Sequence, residues 1–347
     1  MTLDHGGDRA GFFEKYGREP LDFSANTSPL GIPEAARRAA EEALAHADRY
    51  PDPLCRELRA ALASYHGVPA EQIVCGNGAA DLIYRLAAAV RPKSALVPAP
   101  AFSEYERALA PLGCEVRRYY LDEKKDFRPD EGFLDAIKPG LDLVFLCEPN
   151  NPTGVTTDPA LLRKILKRCR ENKTLLAADE CFLPFCGEPH SLIGELGEGG
   201  LVIFRAFTKF YAMAGLRLGY CLTDEPGHAE KLAREGQPWA VSGPAQAAGI
   251  AALADTGYAE EVRRTVRENR AMLAEGLRAL GFYVVPGEAN FLLFSAKDPE
   301  IGEKLAREGI LIRDCTNFPG LPRGWFRTAV RTVSENEMLL AALGRLT

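Results

Sequence analysis

The chain predicts an α/β fold, with a large domain on a mostly parallel central sheet and a small α+β domain after it. Two observations carry that expectation. Seven short β-rich runs alternate with longer helical patterns between residues 73 and 222. Beyond residue 240 the pattern changes to one long charged helix, hairpin-like strands and a terminal helix. Strands alternating with helices imply a parallel sheet covered on both faces. A chain of 347 residues is long enough to bury two cores. A composition of 46% hydrophobic and 26% charged residues excludes wholesale disorder.

Residues 1–35 contain Pro20, Pro29 and Gly31 with little periodicity, and read as an N-terminal arm. Residues 36–240 form the expected large domain. Its β-rich runs are 73–75, 95–98, 115–119, 143–147, 174–178, 201–205 and 218–222. The stretch 79–89 has apolar residues at Leu82, Ile83 and Leu86, with Val90 next in a 3.6-residue period, and 159–171 is similarly helical. Residues 241–347 form the expected small domain. A helix over 258–280 ends at Gly281. Extended runs at 283–285, 290–294, 310–313 and 325–331, a helix near 299–308 and a last helix from Glu335 follow.

The net charge of -6 argues against a nucleic-acid-binding surface. No run approaches the roughly 18 apolar residues of a membrane span. The first seven residues lack the charged and apolar regions of a signal peptide, so a cytoplasmic protein is expected. Nine cysteines without a CxxC pair read as buried reduced thiols, with no metal site expected.

Four short motifs carry chemistry. The first is Phe207-Thr208-Lys209-Phe210, with Arg217 eight residues after the lysine. Burial among apolar groups disfavours an ammonium, lowers its pKa and makes the amine a usable nucleophile. An arginine offers a fixed fork for a phosphate. Such a lysine beside a phosphate anchor is what a pyridoxal phosphate site requires. On these residues alone, a snorkelling lysine and an arginine in a surface ion pair are the commoner arrangement. The second motif, Glu148 to Gly154, follows a buried strand and can present Asn151 at the sheet edge, or be only a turn. The third, Asp179-Glu180, ends another strand. A carboxylate there can hold a pyridine nitrogen protonated, or cap a helix. The fourth, Gly76-Asn77-Gly78-Ala79, lies between a strand and a helix whose free N–H groups could cradle a phosphate.

In this order the four motifs resemble the fold-type-I pyridoxal-phosphate enzymes of the aspartate aminotransferase superfamily, over nearly the whole chain. The resemblance implies the class I/II transferase fold with pyridoxal 5'-phosphate as cofactor. It makes Lys209 the catalytic lysine that links to the cofactor and Asp179 the partner of its ring nitrogen. Asn151 would bond the ring's O3′, and Phe102 would stack on the ring. Gly78, Ala79, Thr208 and Arg217 would hold the phosphate. Tyr50 would reach that phosphate from a second subunit, which implies a homodimer with shared sites. Arg327 matches the arginine that binds a substrate carboxylate. Two positions depart from the pattern. Phe182 stands where a tyrosine usually assists Asn151, which implies a raised pKa for the lysine–cofactor linkage. Ala206 stands where a hydroxyl often meets the phosphate.

Within the superfamily the chain resembles two groups: decarboxylases of L-threonine O-3-phosphate that serve cobalamin synthesis, and histidinol-phosphate aminotransferases. The His5-Gly6-Gly7 arm, the segment from Asp22 to Asn26, Phe182, and the segments around Arg313 and Arg327 to Arg331 favour the decarboxylases. By that resemblance His5, Asn26 and Arg313 would grip a substrate phosphate, and Arg327 the carboxylate end. On the residues alone, His5 is also a plain chain terminus, Asn26 a turn cap, Arg313 a partner for Asp314 and Arg331 a surface strand residue. L-Serine O-phosphate, one methyl smaller, is a further candidate substrate. A non-catalytic regulator of the same fold is the remaining alternative, and the retained Lys209 argues against it.

Overall fold

A computed structural model describes residues 5–347 of the chain. In chain order the strands are β1 (Leu21–Asp22), β2 (Ile73–Gly76), β3 (Ser94–Ala99), β4 (Glu115–Tyr120), β5 (Leu143–Cys147), β6 (Leu175–Asp179), β7 (Leu201–Ala206), β8 (Gly219–Thr223), β9 (Tyr283–Val284), β10 (Phe291–Ser295), β11 (Ile310–Leu311), β12 (Arg313–Asp314) and β13 (Trp325–Ala329). Seven of them form the large sheet, in the order β2-β8-β7-β6-β5-β3-β4. Its ladders are parallel except those of β8, which runs antiparallel to both β7 and β2. The expected mostly parallel sheet is therefore present.

Strands β5 to β8 are buried at every position, which explains their unbroken apolar runs. The edge strand β4 exposes Glu115, Arg117 and Arg118 to water, as edges that resist further pairing do. Helices cover the faces as their periodicity predicts. Gly78–Val90 buries Leu82, Ile83 and Leu86. Pro159–Glu171 buries Leu161, Leu162, Ile165 and Leu166, and the Asp158 carboxylate caps its first N–H groups.

A separate antiparallel sheet, in the order β12-β13-β10-β9, forms the small unit. The arm is tied to this unit. Strand β1 pairs parallel with β11, and Phe23 is fully buried in a cluster with Leu273, Phe294 and Phe326. The arm also contains a helix, Arg9–Tyr16, which buries only Phe12 and so leaves no periodic signal in the sequence. Helix Gly243–Ala254 packs with Leu58 and Leu62 in the core of the large unit. The helix Thr256–Ala279 then spans both cores, with Val262 and Val266 in one and Leu273 and Leu277 in the other. That packing argues for moving the proposed boundary from residue 240 into this long helix.

Among the described residues all cysteines are free thiols, and no helix is long and apolar enough to cross a membrane. The C-terminal ends of β5, β6 and β7 lie side by side, with Cys147 opposite Asp179 and Asp179 opposite Phe204. Open parallel sheets bind ligands at such edges.

Candidate active site

A cavity of about 400 Å³ opens at this edge. Eleven of the thirteen residues given a catalytic, cofactor-binding or substrate-binding role in the sequence line it: His5, Asn26, Ala79, Phe102, Asn151, Asp179, Thr208, Lys209, Arg217, Arg313 and Arg327. Residues as far apart in sequence as His5 and Arg327 thus meet in one space.

Strand β7 delivers Lys209. The strand ends at Ala206, and one short helical turn, Phe207–Phe210, sets the lysine at the cavity wall. Its Nζ lies 5.8 Å from the centre of the Phe182 ring. Burial, with the positive charge of Arg327 next, lowers its pKa to about 8. A good fraction of the amine is then neutral near pH 8, as a nucleophile or proton carrier requires.

Strand β6 ends at Asp179, which is buried. Its Oδ2 accepts a 2.6 Å bond from the Tyr105 hydroxyl, and its Oδ1 accepts one of 3.1 Å from the Cys181 N–H. Burial and the adjacent carboxylate hold the Tyr105 phenol well above its ordinary pKa, so it stays a neutral donor. The turn after β5 brings Asn151, whose Oδ1 accepts from Arg327 Nη1. Arg327, on β13 of the small sheet, also donates from Nη2 to the Ser24 carbonyl at 3.2 Å. Its side chain lies over Phe291, and burial lowers its pKa to about 10.

The start of helix Gly78–Val90 meets Arg217. Gly78 adopts φ +81°, and a Cβ there would stand 2.8 Å from Arg217 Nη2. Gly219 packs as closely, since its Cβ would lie 2.5 Å from the Ala79 nitrogen. Only glycine permits this approach of guanidinium, helix start and strand. The guanidinium of Arg217 donates to the Ala214 carbonyl at 3.1 Å and is exposed toward the cavity mouth. Gly78 therefore shapes the cavity although it is not itself on the lining.

The far wall holds His5, Asn26 and Arg313. Both amide atoms of Asn26 are buried without a hydrogen-bond partner among the described residues, as is Arg327 Nε. Buried polar atoms of this kind are ordinarily satisfied by a ligand or water. Arg313 donates to Asn317 Oδ1 at 2.7 Å and lies over the Phe318 ring. Tyr50 does not line the cavity of its own chain. It is 80% exposed and stacks on Trp239 at 4.6 Å. Arg331 is also absent from the lining and pairs with Glu335 at 2.6 Å.

The residues fit a flat ring bearing a phosphate. The glycine cradle faces Arg217, a carboxylate and an amide stand on neighbouring strand ends, and a lysine follows the next strand on the carboxylate's other side. Sequence reasoning missed Tyr105, Glu104 and Ser24. The first two lie close after Phe102, but nothing in their spacing points toward Asp179 or His5. Ser24 meets Arg327 through its backbone carbonyl, which any residue would supply, and its hydroxyl meets Gly7 and Asp22, contacts that leave no local period.

The family model described as aminotransferase class I and II matches residues 18–343. The chain is 39% identical to threonine-phosphate decarboxylase of Salmonella typhimurium, over 93% of this chain and 90% of that protein. It is 38% identical to a histidinol-phosphate aminotransferase of Symbiobacterium thermophilum, over 93% and 91% of the two chains. Its fold superposes on the histidinol-phosphate aminotransferase of Sinorhizobium meliloti in complex with pyridoxal-5'-phosphate, with a TM-score of 0.88 and 25% identity, over 98% and 94% of the two chains.

Proposed function

The chain belongs to the aminotransferase class I and II family, and from that membership we propose that it decarboxylates L-threonine O-3-phosphate. The product would be (R)-1-amino-2-propanol phosphate, a cobalamin building block. Pyridoxal 5'-phosphate is the cofactor, and when bound it supplies the electron sink that lets a bond at the substrate Cα break. Lys209 would carry it, Asp179 would face its ring nitrogen and Asn151 its O3′. Phe102 would cover the ring. Gly78, Ala79, Thr208 and Arg217 would hold its phosphate, joined by Tyr50 of a second subunit in a homodimer.

One observation supports a phosphorylated substrate, which this reading shares with the histidinol-phosphate reading. Beyond Arg217, the cavity presents further cationic or polar groups at Arg327, Arg313, His5 and the unpartnered Asn26 amide. A substrate with a carboxylate and a distal phosphate needs two anion sites besides the cofactor's own. Arg327 would take the carboxylate end. Arg313, His5 and Asn26 would take the phosphate. Binding energy from that remote phosphate can fix the torsion about Cα. Held so by Arg313, His5, Asn26 and Arg327, the substrate would present its bond from Cα to the carboxylate for cleavage, with the cofactor as electron sink. Carbon dioxide leaves, and Lys209 Nζ returns a proton to Cα.

Incubation of the holoenzyme with L-threonine O-3-phosphate tests this reading. Carbon dioxide released in step with amine, with no keto acid, is the expected result. Conversion of the cofactor to its amine form without carbon dioxide would overturn it. Turnover of histidinol phosphate with 2-oxoglutarate would then identify an aminotransferase, which the 38% relative and the same phosphate-binding wall favour as the second reading. L-Serine O-phosphate belongs in the same assay, because one methyl group is worth only about 1–3 kcal/mol in an apolar pocket.

A further inference from the structure

We infer that Glu104 is a positioning residue that latches the N-terminal arm over the cavity and orients His5 toward the distal anion of the substrate. The inference rests on the reading that this wall binds a phosphate. Glu104 lines the cavity, its side chain only 11% exposed, and both its oxygens are committed. Oε1 accepts from His5 Nε2 at 2.7 Å and from Arg107 at 3.2 Å. Oε2 accepts from the Tyr84 hydroxyl at 2.8 Å.

A carboxylate is an unexpected group on a wall that recruits anions. It repels them unless a cation sits on it, and a largely buried charge needs partners. Arg107 supplies one such cation, and the His5 ring adds a second partner on the same oxygen when the arm is seated. The arm is built to seat there. Gly6 packs so closely on the chain that a Cβ would stand 2.1 Å from the Ser24 carbonyl oxygen. Gly7 takes φ +88° and donates its N–H to Ser24 Oγ at 2.7 Å. Asp22 Oδ1 in turn holds Ser24, through its N–H at 2.8 Å and its hydroxyl at 2.7 Å. The same Ser24 accepts from Arg327 through its carbonyl. Arm, arginine and Asn26 segment are therefore one connected assembly.

The bond to Glu104 uses His5 Nε2, so Nδ1 is the ring nitrogen left for a ligand. A carboxylate on one imidazole nitrogen sets the ring's orientation and the role of the other. The ring also lies 5.7 Å from that of Phe102, which limits its rotation. Glu104 thereby acts on substrate through His5 rather than by touching it.

The test is a double-mutant cycle on the holoenzyme, with E104Q, H5A and the double variant. Inorganic phosphate binding is measured by calorimetry. E104Q keeps the volume and one acceptor oxygen, which can serve Tyr84 or the side shared by His5 and Arg107 but not both, and thermal denaturation checks that folding is retained. Each single variant is expected to weaken phosphate binding about tenfold. The double variant is expected to be no weaker than H5A within about twofold, because the two residues work as one unit. In steady-state kinetics E104Q raises KM for the phosphorylated substrate and also lowers kcat, because the phosphate grip sets the Cα torsion. Additive losses, unchanged phosphate affinity in E104Q, or no phosphate binding by the wild-type enzyme would each overturn the inference. The phosphate titration does not depend on which bond breaks. Failure of the decarboxylation reading is seen only in the carbon dioxide assay, so the two failures are distinguishable.

Discussion

Arg327 and Asn151 lie 176 residues apart in sequence and share a hydrogen bond on the cavity floor. One residue comes from the small antiparallel sheet, the other from the turn after a strand of the large sheet. The bond thus joins the two units at the point where substrate would lie between them. Removing the amide by Asn151→Ala leaves the buried guanidinium with the Ser24 carbonyl as its remaining hydrogen-bond partner among the described residues, where its Nε already has none. The expected loss of stability is about 1–3 kcal/mol, read from urea denaturation of the apoprotein. Cofactor affinity is expected to fall as well. Unchanged stability would mean that the guanidinium finds a new partner.

Gly78 and Arg217 make a second prediction. Gly78→Ala places a methyl group 2.8 Å from Arg217 Nη2, at a backbone conformation with φ +81°. The left-handed backbone alone costs a non-glycine residue on the order of 1–2 kcal/mol. The guanidinium must also move from the helix start. Dialysis against pyridoxal 5'-phosphate is expected to show at least tenfold weaker cofactor binding, about 1.4 kcal/mol. A lower Tm with unaltered cofactor affinity would confine the effect to backbone strain.

Much of this cavity was legible in the sequence, for a physical reason. Asn151, Asp179 and Lys209 each follow a buried apolar strand of a parallel sheet. Parallel strands end on one edge, so residues placed just after them converge whatever the intervening helices do. Gly78 was legible because a glycine between strand and helix marks a backbone turn. Tyr105 was not legible, because its role is created by a reach across the fold to Asp179, 74 residues away. Glu104 was hidden in the same way, since His5 lies 99 residues from it. Helix Gly243–Ala254 follows directly on the expected boundary near residue 240, and its alanine-rich face gives no contrast between buried and exposed sides. Side-chain partnerships between distant elements carry no local period, and these are what the sequence pattern leaves unstated.

Tyr105 yields the third prediction. Its hydroxyl is one of two donors on the Asp179 carboxylate, the other being the Cys181 N–H. Tyr105→Phe keeps the ring stacked on Phe145 at 4.6 Å and removes only the donor. A hydrogen bond to a charged group is worth about 1.5–3 kcal/mol, so a comparable loss of stability is expected. Activity is expected to fall by about tenfold or more, because the carboxylate loses the bond that fixes its orientation. Thermal denaturation and steady-state kinetics on the same preparation check both. Loss of stability with full activity would make Tyr105 a packing residue only.

The last prediction follows from the charge on Lys209. Burial and Arg327 lower its pKa to about 8 in the folded apoprotein, against an ordinary 10.5 in the unfolded chain. Between those values the unfolded chain binds more protons than the native one. Stability must therefore rise with pH across that window. Below about pH 8 the whole cost of burying the ammonium is present, and above 10.5 it is gone. Lys209→Met removes the charge at every pH. The apo variant is expected to be more stable than the apo wild type at pH 7, on the order of 1–3 kcal/mol. The two are expected to converge as the pH approaches 10.5. Urea denaturation of both apoproteins across this range checks the sign and the window together. A difference that stays constant with pH would assign the gain to methionine packing, and the lysine would then not be a depressed-pKa amine. The same titration bears on catalysis, because an amine with that pKa is the one able to return a proton to Cα near neutral pH.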